Sequence, residues 1–452
     1  MARVLGLLFA AALVAGQLGP AHANGRFPRT VKVVFQPGDP QVVALGATFG
    51  LLVSSDGGAT WRWICESAVG FAGTFDPDYE LSPSGAIFAT TFDGLKVLRD
   101  GCTWQPVPGP LGTTFVSAVA VGPDGTIWAG TSDSVLGSAL YKSTDDGVTF
   151  TPTAMVGQLG DWWNSIEVAP SDPQRVVVTA FRLANAQPRE RLLFRTDDGG
   201  ARWDPLPTTA FVGTNNSDLD VAAIDPADPD HVFIRMTNAG PTLSEALFVS
   251  TDVGAAAPTW TRVLDVADNL TGVVVRPGGE VLAATPSLGL QRSTDGGATF
   301  APVPGVTLEG RCLAQRPDGQ LWMCTNNLPP DGAAIHVSAT GAAGSWTRLF
   351  GFSEIVGPVR CAAGTVQHDD CELVLWCGLQ ENLGITSTEI DCQVAPPDAG
   401  IDATTGGGGG GKGCCSTGGS PGLELPLAGL GLAGLVRRRR RRGQPGGVRA
   451  VR

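Results

Sequence analysis

The amino-acid sequence predicts an all-β protein: a seven-bladed β-propeller of four-stranded antiparallel blades, followed by a disulfide-rich C-terminal extension. Two repeated elements predict this fold. One is an octapeptide of the pattern S-x-D-x-G-x-T-W, here called the box, and the other is a turn rich in Pro, Asp and Gly upstream of each box. Elements that recur every 40–55 residues or so, at about one supersecondary unit per repeat, indicate a repeat architecture. A content of 62 Gly and 33 Pro in 452 residues is typical of strands and turns.

The box is expected to be structural and not catalytic. Its Asp carboxylate can accept backbone N–H bonds inside its own turn, its Gly allows positive φ, and its Trp or Phe can pack between strands. The aspartates in question are Asp56, Asp145, Asp198, Asp252 and Asp295. The seven copies lie at 54–61, 100–104, 143–150, 196–203, 250–260, 293–300 and 338–346. The copies at 100–104 and 338–346 are degenerate, so six or eight blades are the alternative counts.

The upstream turns complete the repeating unit. Each turn separates two short β-branched or apolar runs, as at 116–121 and 127–130, and such runs are too short for helices. A unit therefore consists of strand, turn, strand, loop, strand, box and strand, which is a propeller blade. The turns begin at Pro37, Pro83, Pro123, Pro170, Pro226, Pro277 and Pro317. The predicted propeller spans 27–352.

With these residues in hand, the repeated S-x-D-x-G-x-T-W resembles the Asp-box, or BNR, repeat. This family includes sialidases, xyloglucan-degrading glycosidases, sortilin-type receptors and photosystem assembly factors. The resemblance implies the propeller fold. Because the family spans enzymes and pure binding proteins, it leaves the activity open.

The N-terminus predicts export. Arg3, an apolar run and the small-x-small site Ala21-His22-Ala23 are typical of a secretory signal peptide at 1–23. The formal net charge is −12, and many of the basic residues lie in the C-terminal tail, so the body is still more acidic. An acidic body repels phosphate backbones, and we therefore expect no nucleic-acid partner.

Four cysteines mark the predicted extension at 353–394: Cys361, Cys371, Cys377 and Cys392. If they pair among themselves, three connectivities are open. Two further pairs are expected, Cys312 with Cys324 across a hairpin and Cys65 with Cys102 between blades one and two. Residues 373–376 are a candidate strand, and the extension is expected to pack on the last blade.

The C-terminal region has little to bury. Residues 395–413 form a Gly-rich linker, 414–442 combine Cys414 and Cys415 with a short apolar segment and an Arg cluster, and 443–452 are a tail. The segment 414–442 resembles the MYXO-CTERM sorting tag. This resemblance implies processing near Cys414 or Cys415 and anchoring at the cell surface through the tag alone, whereas the bland alternative is a disordered basic tail.

Ligand binding is expected at the mouth of the central channel, where the loops that lead into the innermost strands converge. The first candidates are Asp161, Trp162, Trp163 and Asn164, because a carboxylate beside two aromatic rings suits sugar stacking and hydroxyl bonding. Asn216, Asp218 and Asp220 occupy the equivalent loop of the next blade, and Asp76 and Asp78 that of blade two. The alternative interpretation is that these residues bind no ligand, because the acids are solvated loop residues and the tryptophans are buried in the core.

The sequence lacks several motifs that particular activities of this family require. The family's sialidases use an arginine triad, a Tyr–Glu pair and an F-R-I-P-like motif, but only Tyr79 and Tyr141 are present and no F-R-I-P occurs. The xyloglucanase type uses two aspartates, usually with two propellers, and this chain has room for one. His231, His336 and His368 lack ligand spacing, so we expect no metal and no cofactor.

The sequence interpretation is thus an exported, surface-anchored propeller with a monomeric body, acting as a non-catalytic binding or scaffolding module for a protein or glycan. The alternative is a glycoside hydrolase that uses paired carboxylates, Asp161 with Asp218 or Asp220.

Overall fold

Each turn and its box close one four-stranded antiparallel blade, and the computed structural model contains seven such blades, one of which has a fifth strand added in parallel at its edge. The structure describes residues 27–392 except 72–74, 134–136, 184–188, 241 and 243. The prediction of a seven-bladed propeller is confirmed. The predicted signal peptide, linker, sorting tag and tail lie outside the described residues.

The first three blades cover the N-terminal half of the ring. Blade one contains β1 (Thr30–Gln36), β2 (Asp39–Ala47), β3 (Gly50–Ser54) and β4 (Arg62–Ile64). Blade two contains β5 (Tyr79–Leu81), β6 (Ile87–Thr91), β7 (Gly94–Leu98) and β8 (Trp104–Pro106). Blade three contains β9 (Val116–Val121), β10 (Ile127–Thr131), β11 (Ala139–Ser143) and β12 (Thr151–Val156).

The remaining four blades follow in chain order. Blade four contains β13 (Asp161–Ala169), β14 (Asp172–Arg182), β15 (Glu190–Thr196) and β16 (Asp204–Pro205). Blade five contains β17 (Leu219–Ile224), β18 (Val232–Met236), β19 (Glu245–Ser250) and β20 (Thr261–Val266). Blade six contains β21 (Gly272–Arg276), β22 (Glu280–Thr285), β23 (Gly289–Ser293) and β24 (Ala301–Pro302). Blade seven contains β25 (Cys312–Gln315), β26 (Leu321–Cys324), β27 (Ile335–Ser338) and β28 (Thr347–Phe350).

The first strand of every blade is innermost, because these strands pack against one another around the ring and β1 contacts both β5 and β25. Since the strands alternate in direction, the loops between blades and those between second and third strands share one face, here called the mouth face. The Pro/Asp/Gly turns and the boxes lie on the opposite face. This arrangement brings residues from all seven blades to one channel.

The boxes form closed hydrogen-bonded turns. In the first box, Asp56 Oδ1 accepts the Thr60 N–H at 2.8 Å, and Oδ2 accepts the Thr60 hydroxyl at 2.6 Å. Ser54 Oγ donates to Asp56 at 2.8 Å and accepts the Gly58 N–H at 2.9 Å. An Asp carboxylate accepts the corresponding backbone N–H in four further boxes, at Asp145, Asp198, Asp252 and Asp295.

The box glycine also connects neighbouring blades. Gly58 has φ +90°, and a Cβ placed on it would lie 2.6 Å from the Trp322 ring of the preceding blade in the ring. Gly147, Gly200 and Gly297 meet Phe88, Trp128 and Phe233 in the same way, and each ring is buried on the second strand of the preceding blade. The box therefore needs glycine for its backbone conformation and for its contact with the preceding blade.

A helical extension covers the seam between blades seven and one. Strand β29 (Gly357–Pro358) pairs in parallel with β4. A 3-10 helix (Phe352–Glu354), a π-helix (Gln367–Leu375) and an α-helix (Trp376–Leu383) make up the rest, and a short α-helix (Glu66–Val69) and a 3-10 helix (Pro110–Gly112) lie in the propeller. No helix among the described residues is long and apolar enough to span a bilayer.

The prediction of a strand at 373–376 is wrong. Cys371 and Trp376 are both fully buried, whereas Leu373, Val374 and Leu375 are exposed. A π-turn bonds residue i to i+5, so it places Cys371 and Trp376 on one face. The extension packs on blade one as well as on the last blade, because its buried Trp376 lies in one core cluster with Trp63 and Phe350.

The disulfides confirm one expected pair and correct another. Cys312–Cys324 is present directly across the β25–β26 hairpin. The expected Cys65–Cys102 pair is wrong, since Cys65 pairs with Cys371 and Cys102 with Cys361. The physical reason is that the extension lies on the outer edge of blade one, beside both propeller cysteines. Within the extension, only Cys377 and Cys392 pair with each other.

We expect Gly147→Ala to destabilise the propeller by about 1–3 kcal/mol more than the control Gly278→Ala. Both glycines have positive φ, but a Cβ on Gly147 would lie 2.6 Å from the Phe88 ring, whereas nothing lies within 4 Å of one on Gly278. Denaturant unfolding of the two variants measures the difference. Equal losses would show that the backbone conformation alone requires the box glycine.

Candidate functional site

The central channel is a cavity of about 490 Å³ bounded by the innermost strands. Its walls are largely apolar, with residues such as Val33, Val119 and Ile166. Six ionisable side chains line it: Lys32, Asp78, Glu80, Glu167, Asp220 and Arg235. A polar cluster inside an apolar cavity of this size is typical of a small-molecule site.

Lys32 joins two carboxylates on one side of the channel. Its Nζ donates to Asp78 Oδ1 at 2.6 Å and to Glu80 Oε1 at 2.7 Å. Desolvation lowers the pKa of Lys32, but the two carboxylates raise it more, so the net shift is upward. Lys32 therefore carries its positive charge throughout the physiological range. Asp78 is the more exposed of the two acids, at 34% against 22% for Glu80.

Glu167 is the most perturbed carboxyl of the channel. It lies on β13, with its side chain exposed to the channel and surrounded by the blades. Desolvation raises its pKa to about 8; Lys32 opposes this shift, and the negative charges of Glu80 and Asp78 add to it. Glu167 is consequently protonated at neutral pH, in the same channel as two acids that are paired with a lysine. A carboxyl poised in this way can donate a proton.

The third acid, Asp220, is held by an arginine. Arg235 Nη2 donates to Asp220 Oδ2 at 2.7 Å, and its Nη1 donates to the Leu270 carbonyl at 2.6 Å. Asp220 lies on β17 and Arg235 opposite it on β18, so the pair is fixed by the sheet register. Of the three acids nominated for hydrolysis, Asp161, Asp218 and Asp220, it is Asp220 that lines the channel, and Asp78, which was placed in the equivalent loop of blade two, lines it as well.

The structure places Asp161 and Asp218 outside the channel wall. Asp161 is 2% exposed, accepts two N–H groups of Arg182 at 2.5 and 3.2 Å, and also accepts the Gln158 N–H. Asp218 accepts Arg189 Nη1 at 2.6 Å. Because each of these carboxylates is bound by its own arginine, neither is presented to an open groove with the other.

The candidate ligand-binding residues fall into separate environments. Trp163 is 2% exposed and packs in the core with Trp128, whereas Trp162 points the opposite way and reaches the mouth face. Asn164 lines the channel and donates to the Leu219 carbonyl at 2.9 Å. Asn216 is exposed on its loop. Trp162 and Asn164 therefore remain available to a ligand, and Trp163 does not.

Trp162 belongs to a larger cluster of rings at the mouth face, here called the aromatic row. The rings contact one another in sequence, with centroid separations of 4.6, 5.0, 5.4 and 6.3 Å. They are Phe75, Phe92, Phe115, Trp162 and Phe181. Aromatic faces beside hydrogen-bonding groups are suited to sugar rings.

Sequence reasoning missed Lys32, Glu80 and Glu167. None belongs to a motif, and each lies inside a short β-strand instead of a loop. One signal was present, because an ionisable residue within the apolar first strand of a blade must face the channel or be buried.

Comparison with known proteins adds two relatives. No family model matches the chain. A xyloglucanase from a Paenibacillus species is 35% identical over 168 residues, which cover 30% of this chain and 16% of the relative. A probable oligoxyloglucan-reducing end-specific xyloglucanase from Neosartorya fischeri is 26% identical over 238 residues, covering 49% of this chain and 27% of the relative. The chain thus spans less than a third of either relative's length.

Solved structures show more distant likenesses. The extracellular domain of a putative hybrid two-component system from B. thetaiotaomicron has a TM-score of 0.48 at 12% identity, covering 70% of this chain and 38% of that one. YCF48 from Cyanidioschyzon merolae has a TM-score of 0.46 at 14% identity, covering 66% and 92%. The GH74 xyloglucanase from Xanthomonas campestris has a TM-score of 0.40 at 19% identity, covering 70% and 57%. These likenesses carry no argument about function.

The relatives correct the functional expectation. The sequence interpretation favoured a non-catalytic binding or scaffolding module, and both relatives are named as xyloglucan-degrading enzymes. The expectation of a non-catalytic module is therefore wrong. The glycoside hydrolase, which was the alternative, is the better-supported class.

We expect Glu167→Gln to change how stability depends on pH. The folded protein keeps the Glu167 proton up to about pH 8, whereas the unfolded chain releases it near the ordinary value of 4.5. Between these values the folded state binds more protons, so this residue makes the native protein less stable as pH rises. The stability of the variant relative to the natural protein should increase from about pH 5 to about pH 8, as measured by denaturant unfolding. A constant difference would contradict the raised pKa.

Proposed function

We propose that the chain is a glycoside hydrolase acting on a xyloglucan-type β-glucan, with Glu167 as the general acid. The observation that carries the proposal is that Glu167, Asp78 and Glu80 line one channel at the propeller axis, where desolvation raises the pKa of Glu167 to about 8. Glycoside hydrolysis uses one protonated and one ionised carboxyl on either side of the scissile bond. The two xyloglucanase relatives support the substrate class.

Each of the channel residues Glu167, Asp78 and Lys32 has its own role in the proposed hydrolysis. Glu167 donates its proton to the glycosidic oxygen as the C–O bond breaks. Asp78 supplies the second carboxylate, because it is the more exposed of the two acids that Lys32 holds. Lys32 donates a hydrogen bond to Asp78 and so holds that carboxyl group at the channel, on a different blade from Glu167. Water adds its hydroxyl to the sugar carbon and passes its proton to Asp78, which acts as the general base. That proton then leaves to solvent, and solvent returns a proton to Glu167.

The first test is hydrolysis of soluble xyloglucan by the mature protein, followed as the release of reducing ends. Glu167→Gln and Asp78→Asn should each lower the rate by about 10²–10⁴-fold, the usual contribution of a general acid or base. Glu190→Gln is the control, since Glu190 is 57% exposed and lies outside the channel. A folded natural protein that releases no ends from any glucan, or full activity in Glu167→Gln, would refute the proposal.

We further propose that the boxes are Asp-box repeats and that the protein is exported, anchored at the cell surface by 414–442, and monomeric in its body. The spacing of the boxes supports the repeat family. The eight cysteines of the described residues form four disulfides, which supports an oxidising compartment. Mass spectrometry of the protein from its native host would find cleavage after Ala23 and processing near Cys414 or Cys415. An intact N-terminus would contradict export.

A further inference from the structure

The aromatic row forms a continuous path across three blades of the mouth face. It starts in blade two, where Phe75 lies before β5 and Phe92 lies between β6 and β7. It continues through Phe115 before β9 and ends in blade four with Trp162 and Phe181. The rings of Phe92 and Phe115 are stacked, with an interplanar angle of 22°, and those of Trp162 and Phe181 with an angle of 5°.

The row runs past the channel opening. Asp78 lies three residues after Phe75, and Asn164 lies two residues after Trp162; both of these polar residues line the channel. Phe92 is 59% exposed although it is a large apolar side chain. At the far end, the Arg189 guanidinium lies 4.3 Å from the centre of the Phe181 ring and is bound to Asp218. A ligand on the row would therefore have one part at the channel.

The exposed area favours a narrow ligand over a protein. Full-sized aromatic side chains offer roughly 200 Å² each, so a row in which four of five rings are half-buried exposes roughly 400 Å² at most. A stable protein interface needs about 800 Å² from each partner. One strand of sugar rings is a better match to a path of this width.

The charges around the row favour a neutral ligand. Asp78, Glu80 and Asp220 lie at the channel. Arg189, which lies beside the aromatic row, is neutralised by Asp218. Lys32 binds Asp78 and Glu80, and Arg235 binds Asp220, so each of these three cations is already paired with a carboxylate of the protein. A uronic-acid polymer would have to displace one of these carboxylates to form an ion pair here, whereas a neutral sugar chain would not.

We propose that the aromatic row is an extended binding surface for a neutral β-glucan chain, which it holds across the mouth face with one unit at the channel. The inference rests on the proposed function and adds to it the position of the polymer outside the channel. Binding here occurs at the exposed parts of the rings, of which Phe92 has the largest exposed fraction, so it requires neither Glu167 nor turnover.

The test is isothermal titration calorimetry on the full chain carrying Glu167→Gln, so that the polymer is not degraded. Soluble xyloglucan and hydroxyethyl cellulose are the neutral probes, and polygalacturonate is the anionic one. Adding Phe92→Ala and Trp162→Ala should weaken binding of the neutral polymers by about tenfold or more. Leu288→Ala is the matched control, because Leu288 is also exposed, at 48%, between the second and third strands of its blade, but lies outside the row.

The outcomes separate the two proposals. Three results would contradict the proposal that the aromatic row binds a neutral β-glucan. They are unchanged binding after both ring substitutions, stronger binding of polygalacturonate, and no binding of either neutral polymer. A dimer in size-exclusion chromatography that dissociates on Phe92→Ala would assign the row to a protein contact and also overturn it. If the natural protein hydrolyses no glucan but its binding still depends on the aromatic row, the proposed binding surface is supported and the proposed hydrolase activity is refuted.

Discussion

The ring depends on the contact between a box glycine and an aromatic ring of the preceding blade. Trp322, Phe88, Trp128 and Phe233 are buried on second strands, and each receives the glycine of the next box. At the seam the same contact joins Gly58 to Trp322, and the Phe35 ring packs edge-on against Trp322 at 5.2 Å. The hydrogen bonds of Asp56 shape the turn that places Gly58 against the neighbouring ring. The packing between blades therefore depends on the hydrogen bonds within the box.

The seam needs more than this contact, because blades one and seven share no strand. Strand β29 extends the sheet of blade one, and the Cys65–Cys371 and Cys102–Cys361 bonds tie the extension to blades one and two. Trp376 then fills the space beside Trp63, with ring centres 6.1 Å apart. Closure keeps the innermost strands, and therefore the channel acids, at fixed positions across the ring.

What could be predicted from the sequence was local. Boxes and turns are specified by adjacent residues, so the count of seven blades followed from their spacing. The Cys65–Cys371 bond joins residues 306 apart, and no adjacent residue signals it. Trp162 and Trp163 were nominated together, although alternation along a strand sends neighbours to opposite faces. Glu167 was missed because its raised pKa depends first on desolvation in the assembled channel, and then on Glu80 and Asp78, which come from another blade.

Arginine pairing distinguishes Glu167 from the three acids that the sequence nominated, Asp161, Asp218 and Asp220. Arg182 and Arg189 bind Asp161 and Asp218, and Arg235 binds Asp220, whereas no arginine among the described residues forms an ion pair with Glu167. Desolvation in the channel raises the pKa of Glu167, and the negative charges of Glu80 and Asp78 add to the rise. The pH dependence of kcat/KM on a xyloglucan oligosaccharide tests this account most directly, because it reports the pKa of the free enzyme's acid. We expect the rate to fall on the alkaline side with an apparent pKa near 8. A rate that is still undiminished above about pH 9 would contradict Glu167 as the proton donor.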